Sequence, residues 1–261
     1  MKLQKILPLA LLTVLCSAFL SSCKTAEMYQ SEALLQPSKE LPVTGRKTIS
    51  LKKDFKIGSF AVTDVHRGGV KTKGASVGPF SSQKVSQRFE FALQDSTGGS
   101  TYVSCEAGLD SKEIKLGKIF SVGVGGDDRE VFVSTIHLAG GTPWKLITKD
   151  PGADLSFSSF LGILQSDDRE IHIEPVYNFK NPNRVGSSTI LGYEFRSGKE
   201  VLGAVQVLNK GKVWVRKDLS FEQQRLLSAA SASLLLYQKL ERTNPAEPQN
   251  AKVKVPISLR N

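Results

Sequence analysis

The chain has 261 residues, a formal net charge of +10 and three cysteines. After the first 20 or so residues no second apolar run approaches membrane-spanning length, which excludes a chain that crosses a bilayer repeatedly with helices. Only Cys105 would remain a free thiol once the N-terminus is processed, which excludes an intrachain disulfide, so hydrophobic packing must carry the stability.

Residues 1–22 predict a signal peptide that is removed: Lys2 and Lys5 give a charged start, and residues 6–20 an apolar run of secretory length. The run Leu20-Ser21-Ser22-Cys23 resembles the lipobox of bacterial lipoproteins, in which an apolar residue and two small ones precede an invariant cysteine. The resemblance implies cleavage between Ser22 and Cys23 and transfer of a diacylglycerol to the Cys23 thiol. Cys16 cannot take that part, because bulky Leu15 precedes it. Acyl chains contribute about 0.8 kcal/mol per buried methylene, so two or three of them hold a protein on its membrane. Lys24 stands where, by the same resemblance, aspartate would retain a lipoprotein on the inner membrane. The expected location is therefore the cell envelope, on the outer membrane where the host has two. Loss of Lys2 and Lys5 lowers the formal charge from +10 to +8. That balance favours anionic lipid, envelope glycan or acidic protein partners, while export argues against nucleic acid.

Residues 23–51 hold no sustained period beyond a short helical turn near Met28 to Leu35, and include Pro37, Pro42 and Gly45. They predict a lipidated, flexible tether, able at about 3.3 Å per residue to hold a domain tens of ångströms from the bilayer. Residues 52–241 predict one β domain. Short alternating or β-branched and aromatic runs are separated by glycine and aspartate clusters, the texture of antiparallel strands. The candidate strands are residues 57–65, 85–94, 101–106, 118–124, 130–138, 144–147, 158–164, 170–177, 188–196, 201–208 and 212–216. The tetrad Asp127-Asp128-Arg129-Glu130 recurs as Asp167-Asp168-Arg169-Glu170, each time before an alternating strand. Both predict hairpin turns, in which short aspartates bond to the backbone. A calcium site would need six to eight oxygen ligands, and neither run has the spaced ladder that supplies them.

A meander over residues 190–216 leads directly into a helix over residues 220–240. Ser220 and Gln223 form a capping-box start. From Leu226 to Tyr237 no face is charged, so the helix must be enclosed on every side. Twelve such residues span about 18 Å, short of the roughly 20 residues that cross a bilayer. The enclosure is protein, and the arrangement predicts a mainly β fold: a closed antiparallel barrel of about 10–12 strands around one apolar C-terminal helix, which also removes exposed strand edges. The progression GYEFRSGKEVLGAVQVLNKGKVWVRKDLSFEQQRLLSAASASLLLYQ resembles the closing part of the tubby-like superfamily, which includes the tubby C-terminal domain, the plant LURP-one-related proteins and the phospholipid scramblases. That resemblance implies a twelve-stranded barrel with an apolar helix through its middle. The basic residues with which tubby proteins bind phosphoinositides have no matched positions here, so no binding residue is carried over. Residues 242–261 predict a mobile tail, or at most an edge strand at 251–257.

The remaining chemistry is sparse. His66, His137 and His172 lack the local spacing that brings imidazoles to one metal. Cys105 shares a strand face with Val103 and reads as a small buried hydrophobe. Ser50 and Lys53, and Ser81 and Lys84, have a serine–lysine spacing without the helix and companion motifs that its chemistry requires. Residues 123–126 are glycine-rich without a following helix, so no phosphate cradle or dinucleotide cofactor is implied. Trp144, Trp214, Tyr102, Tyr177 and Tyr193 are spread as packing aromatics are. The expected function is a lipid-anchored, non-enzymatic binding or assembly module that works through its barrel exterior. A carrier of an apolar ligand in a lipocalin-like lumen is the alternative, and an envelope hydrolase the third reading.

Overall fold

The structure is a computed structural model that describes residues 26–48, 50, 53–77, 80–108, 130–150, 161–167, 169–238 and 240. Cys23 and the signal peptide, the strand expected over 118–124, the glycine run at 123–126, Asp127 to Arg129 of the first tetrad, Asp168 of the second and the tail beyond 241 lie outside these residues.

One short helix opens the described chain, α1 (Glu32–Leu35). Fourteen strands follow: β1 (Ser38–Leu41), β2 (Val43–Thr44), β3 (Phe55–Ile57), β4 (Phe60–Arg67), β5 (Lys71–Val77), β6 (Phe80–Gln94), β7 (Ser100–Gly108), β8 (Glu130–His137), β9 (Trp144–Asp150), β10 (Leu161–Gln165), β11 (Glu170–Val176), β12 (Gly192–Ser197), β13 (Glu200–Gln206) and β14 (Lys212–Arg216). The chain then enters α2 (Phe221–Leu236). The strands make one antiparallel sheet in the order β1-β14-β13-β12-β11-β10-β9-β8-β7-β6-β4-β3-β2, with β5 paired to β6.

The two ends of that order adjoin in sequence. Residues 38–44 are one strand bent at Pro42, pairing with β14 through β1 and with β3 through β2. Pro42 has no N–H to donate, but its carbonyl accepts the Gly58 N–H at 3.0 Å. The wall thus closes as a barrel. Because β4 and β5 take the same edge of β6 in succession, and β1 runs on into β2, the fourteen segments follow twelve lines around it.

Residues 28–44 are therefore wall and cover, not the flexible tether that their composition predicts. The physical reason is that backbone pairing holds the segment, β1 to β14 and β2 to β3, which leaves little trace in side chains. In β1 only Leu41 is buried, and in β2 only Val43. The strand expected over 57–65 is two strands, β3 and β4, because Gly58 at φ +58° turns the chain back on itself.

The helix α2 threads the lumen and contacts β4, β7, β8, β13 and β14. Every residue from Leu226 to Leu236 is buried. Its middle is a run of small residues, Ser228 to Ser233, and bulky wall side chains, among them Phe91, Phe132 and Phe195, fill the space that a thin helix leaves. A second apolar cluster lies on the outside of the wall. Met28 and Leu34 cover Leu191, Val201, Ala204 and Trp214 there. Gly192 permits that crossing, since a Cβ at this position would collide with Met28 Sδ.

The barrel has two unlike rims. The start rim, where α2 begins, carries the turns after β3, β6, β8, β10, β12 and β14; the finish rim, where α2 ends, carries the connections after β11 and β13. Burying a leucine side chain contributes about 1.5–3 kcal/mol, so the enclosure of α2 is directly measurable. Leu235→Ala, in the lumen, should lower the free energy of urea unfolding by about 2–5 kcal/mol. Leu35→Ala, half-exposed on α1, should change it by no more than about 0.5 kcal/mol; similar losses at the two sites would contradict the enclosure.

Candidate functional site

Concave surface is found at the start rim. A groove of about 580 Å³ opens between the first turn of α2 and the ends of β8, β9, β11 and β12. Its floor is apolar, with Leu138, Ile171 and Leu226, and its mouth is polar, with Arg169, Glu170, Glu222 and Gln223. The β10–β11 turn positions Arg169, and the Ser166 N–H donates to the Arg169 carbonyl at 2.9 Å. The guanidinium then lies 4.9 Å from the centre of the Trp144 ring, over its face. Glu170 meets His172 at 3.2 Å.

The start of α2 is locked in place beside the groove. Ser220 Oγ accepts the Gln223 N–H at 3.2 Å, and Gln223 Oε1 accepts the Ser220 N–H at 3.0 Å, so the capping box read from the sequence is formed. Asp95, in the β6–β7 turn, accepts from the Thr97 N–H at 2.8 Å, the Thr97 hydroxyl at 2.6 Å and the Gly99 N–H at 2.9 Å. Its other oxygen takes the guanidinium of Arg225, on the first turns of α2. The Thr97 hydroxyl bond, with the backbone N–H donors and Arg225, holds the Asp95 carboxyl below the ordinary aspartate range.

At the finish rim the last carbonyls of α2 are met by two arginines. Arg46 donates to the Leu235 carbonyl at 2.8 Å and to the Asn209 carbonyl at 2.8 Å. Arg67 donates to the Leu236 carbonyl and to Gln87 Oε1 at 2.6 Å, and its guanidinium lies 4.5 Å over the Phe89 ring. Phe89 stacks on Phe132 at 6.0 Å, and Phe132 on Tyr237 at 4.5 Å. The barrel is thus plugged where the helix leaves it.

Inside the wall, Cys105 hydrogen-bonds Ser134 and Ser233, whose hydroxyl oxygens are 2.8 Å apart. Burial pushes the thiol up to about 12 despite those bonds. A thiol held that high carries almost no thiolate at neutral pH, so it is packing and not a nucleophile.

The other residues singled out by sequence do not converge. His66, His137 and His172 are exposed on β4, β8 and β11. His137 faces Tyr102 at 6.0 Å. Ser50 is half-buried and Lys53 exposed, and Ser81 and Lys84 lie along β6. Of the aromatics, Tyr193 is in the lumen and Trp214 under the outer cover. The two DDRE tetrads are not equivalent. Glu130 begins β8 at the finish rim and is buried, accepting the Leu240 N–H at 2.7 Å, whereas Glu170 begins β11 at the start rim and is exposed. Asp167 accepts the Thr142 hydroxyl of the neighbouring turn at 2.9 Å, a bond between side chains of two turns and not the local backbone bond expected of it. Much of the basic charge is paired: Arg88 with Glu106, Arg196 with Glu174 and Glu194, and Arg216 with Glu200 and Asp218.

These features define a closed antiparallel β-barrel whose lumen is filled by its own C-terminal helix and whose groove lies at the rim. No family model, curated protein or solved structure matches the chain.

The clasp on the start of α2 has a pH signature. Asp95 has a depressed folded pKa, so its contribution is present above the unfolded value and is lost as pH falls through the folded one. The urea midpoint should therefore drop on acidification below about pH 4, and Asp95→Asn should lower the midpoint at neutral pH while flattening that acid limb. An unchanged slope in the variant would show that Asp95 does not carry it.

Proposed function

We propose that this chain is an acyl-anchored lipoprotein of the bacterial envelope whose barrel is a non-enzymatic binding or assembly module. The observation that carries the second half is the filled lumen. Where a carrier needs interior space, Ala229, Ala230, Ala232 and Leu235 are fully enclosed by the wall. Ligand or partner contact then belongs to the exterior, and the start-rim groove, with an apolar floor and charged mouth, has the composition of a binding cleft. Its lining residues include carboxylates, a guanidinium and hydroxyls but no imidazole or thiol, which counts against serine–histidine or cysteine–histidine hydrolysis there. The twelve lines around a central helix are also what resemblance to the tubby-like superfamily implies.

The first half rests on the charged and apolar N-terminal segment and on Leu20-Ser21-Ser22-Cys23. The outer membrane is the expected site in a two-membrane host, because Lys24 follows the cysteine. Anionic lipid, envelope glycan or an acidic protein is the expected partner class.

Cys23→Ala should abolish incorporation of labelled palmitate and release the protein from the membrane fraction; persistent labelling would remove the anchor from this account. Organic extraction of the purified, folded barrel should yield no stoichiometric lipid. One apolar molecule per chain would instead favour the carrier.

A further inference from the structure

The first described residues are held at one end of the barrel. The Ala26 carbonyl accepts from Asn209 Nδ2 at 3.0 Å. The Glu27 carbonyl accepts the Lys180 N–H at 2.9 Å, and its carboxylate meets Lys212 at 2.7 Å and Lys180 at 3.2 Å. The Met28 N–H donates to Gln206 Oε1 at 2.8 Å. All of these partners belong to the finish rim, and from there the chain runs along the outside of the wall to the start rim, where the Lys217 N–H donates to the Pro37 carbonyl at 2.9 Å. Only Lys24 and Thr25 separate Cys23 from Ala26. Fully extended, that span reaches about 10 Å.

We propose that the finish rim of the barrel is a membrane-facing surface seated on anionic lipid head groups, which turns the start-rim groove away from the bilayer. This rests on the acylation of Cys23 proposed above. The rim has the chemistry for that neighbour. The β11–β12 connection, residues 177–191, and the β13–β14 turn, residues 207–211, have no aspartate or glutamate of their own and contain Lys180, which pairs with Glu27, together with Arg184 and Lys210. Arg184 and Lys210 are exposed, and the adjoining Val185 is 90% exposed. Basic side chains near an anionic surface are attracted to its head groups, and an exposed valine next to Arg184 suits the head-group and acyl boundary. The start rim carries the exposed carboxylates of Asp167, Glu170, Asp218 and Glu222 beside the exposed cations Arg169, Lys199 and Lys217. A 16-residue helix separates the rims by about 24 Å, beyond the reach of a quencher fixed to a head group.

The test uses the acylated full chain in vesicles of phosphatidylethanolamine and phosphatidylglycerol doped with a lipid bearing a head-group nitroxide. V185C and G141C each receive a maleimide fluorophore; Gly141 lies in the open turn after β8 with nothing near its missing Cβ. Cys105 is buried and Cys23 acylated, so the introduced thiol is the one that labels. The label at 185 should lose most of its emission to the nitroxide lipid and the label at 141 should keep nearly all of it. Equal quenching at the two positions, or stronger quenching at 141, overturns the proposal. A palmitate-labelled, membrane-bound V185C protein that is not quenched overturns the seating alone, leaving the anchor intact. Protein that takes up no palmitate overturns the anchor and the seating with it.

Discussion

The fold depends on keeping α2 dry. Eleven consecutive residues with no polar face cannot be left in water, and the cost of exposing them exceeds anything that the helix gains from its own backbone bonds. A helix also leaves free N–H groups at one end and free carbonyls at the other, and here the start lies at the rim while the finish is buried against the wall. The chain provides for both ends. Ser220 and Gln223 satisfy the start locally, whereas the finish has no basic residue in its own last turn and borrows Arg46 and Arg67 from the opposite part of the sequence. Each arginine also places positive charge against the negative end of the helix dipole.

The helix occupies the lumen, with Ala229, Ala230, Ala232 and Leu235 fully buried. The barrel's interior polar groups are few, and those in the Cys105, Ser134 and Ser233 cluster are spent on one another. The reactive-looking residues of the sequence are either sealed in, as Cys105 is, or scattered over the outside, as the three histidines are. The groove lies instead at the rim, where turns bring together residues far apart in sequence. Trp144, Arg169 and Glu222 meet at one groove only because β9, β11 and α2 share an end of the barrel.

The legible parts of this structure were those written in side chains. An unbroken apolar helix with a capping box, and strands such as β11 whose burial alternates residue by residue, declare themselves through periodicity. The parts that escaped are written in backbone or in juxtaposition. Residues 38–44 pair through their backbone, β1 with β14 and β2 with β3, while burying only Leu41 and Val43, so neither their composition nor their period distinguishes them from a linker. The polar strand β5 is of the same kind, held to β6 by its backbone ladder. The groove escaped because no local pattern tells that the second DDRE turn sits on the same rim as the helix start. The tetrad is no guide to position, since antiparallel alternation puts Glu130 at one rim and Glu170 at the other.

Closure through residues 38–44 makes the barrel a non-local object. The strand that seals the wall comes near the beginning of the described chain and one of its partners, β14, just before the helix. Because chains emerge amino terminus first, β1 has no ladder to join on that side until residue 216 is available. The same holds for Met28 and Leu34, whose outer cluster needs Val201 and Trp214. Loop-closure entropy must be met before these contacts reward it, which makes the last step of folding slow compared with forming any one hairpin. It also makes that step cooperative. Joining β1 to β14 completes the wall, covers its outer face and encloses α2 together, so none of the three gains its full free energy without the other two.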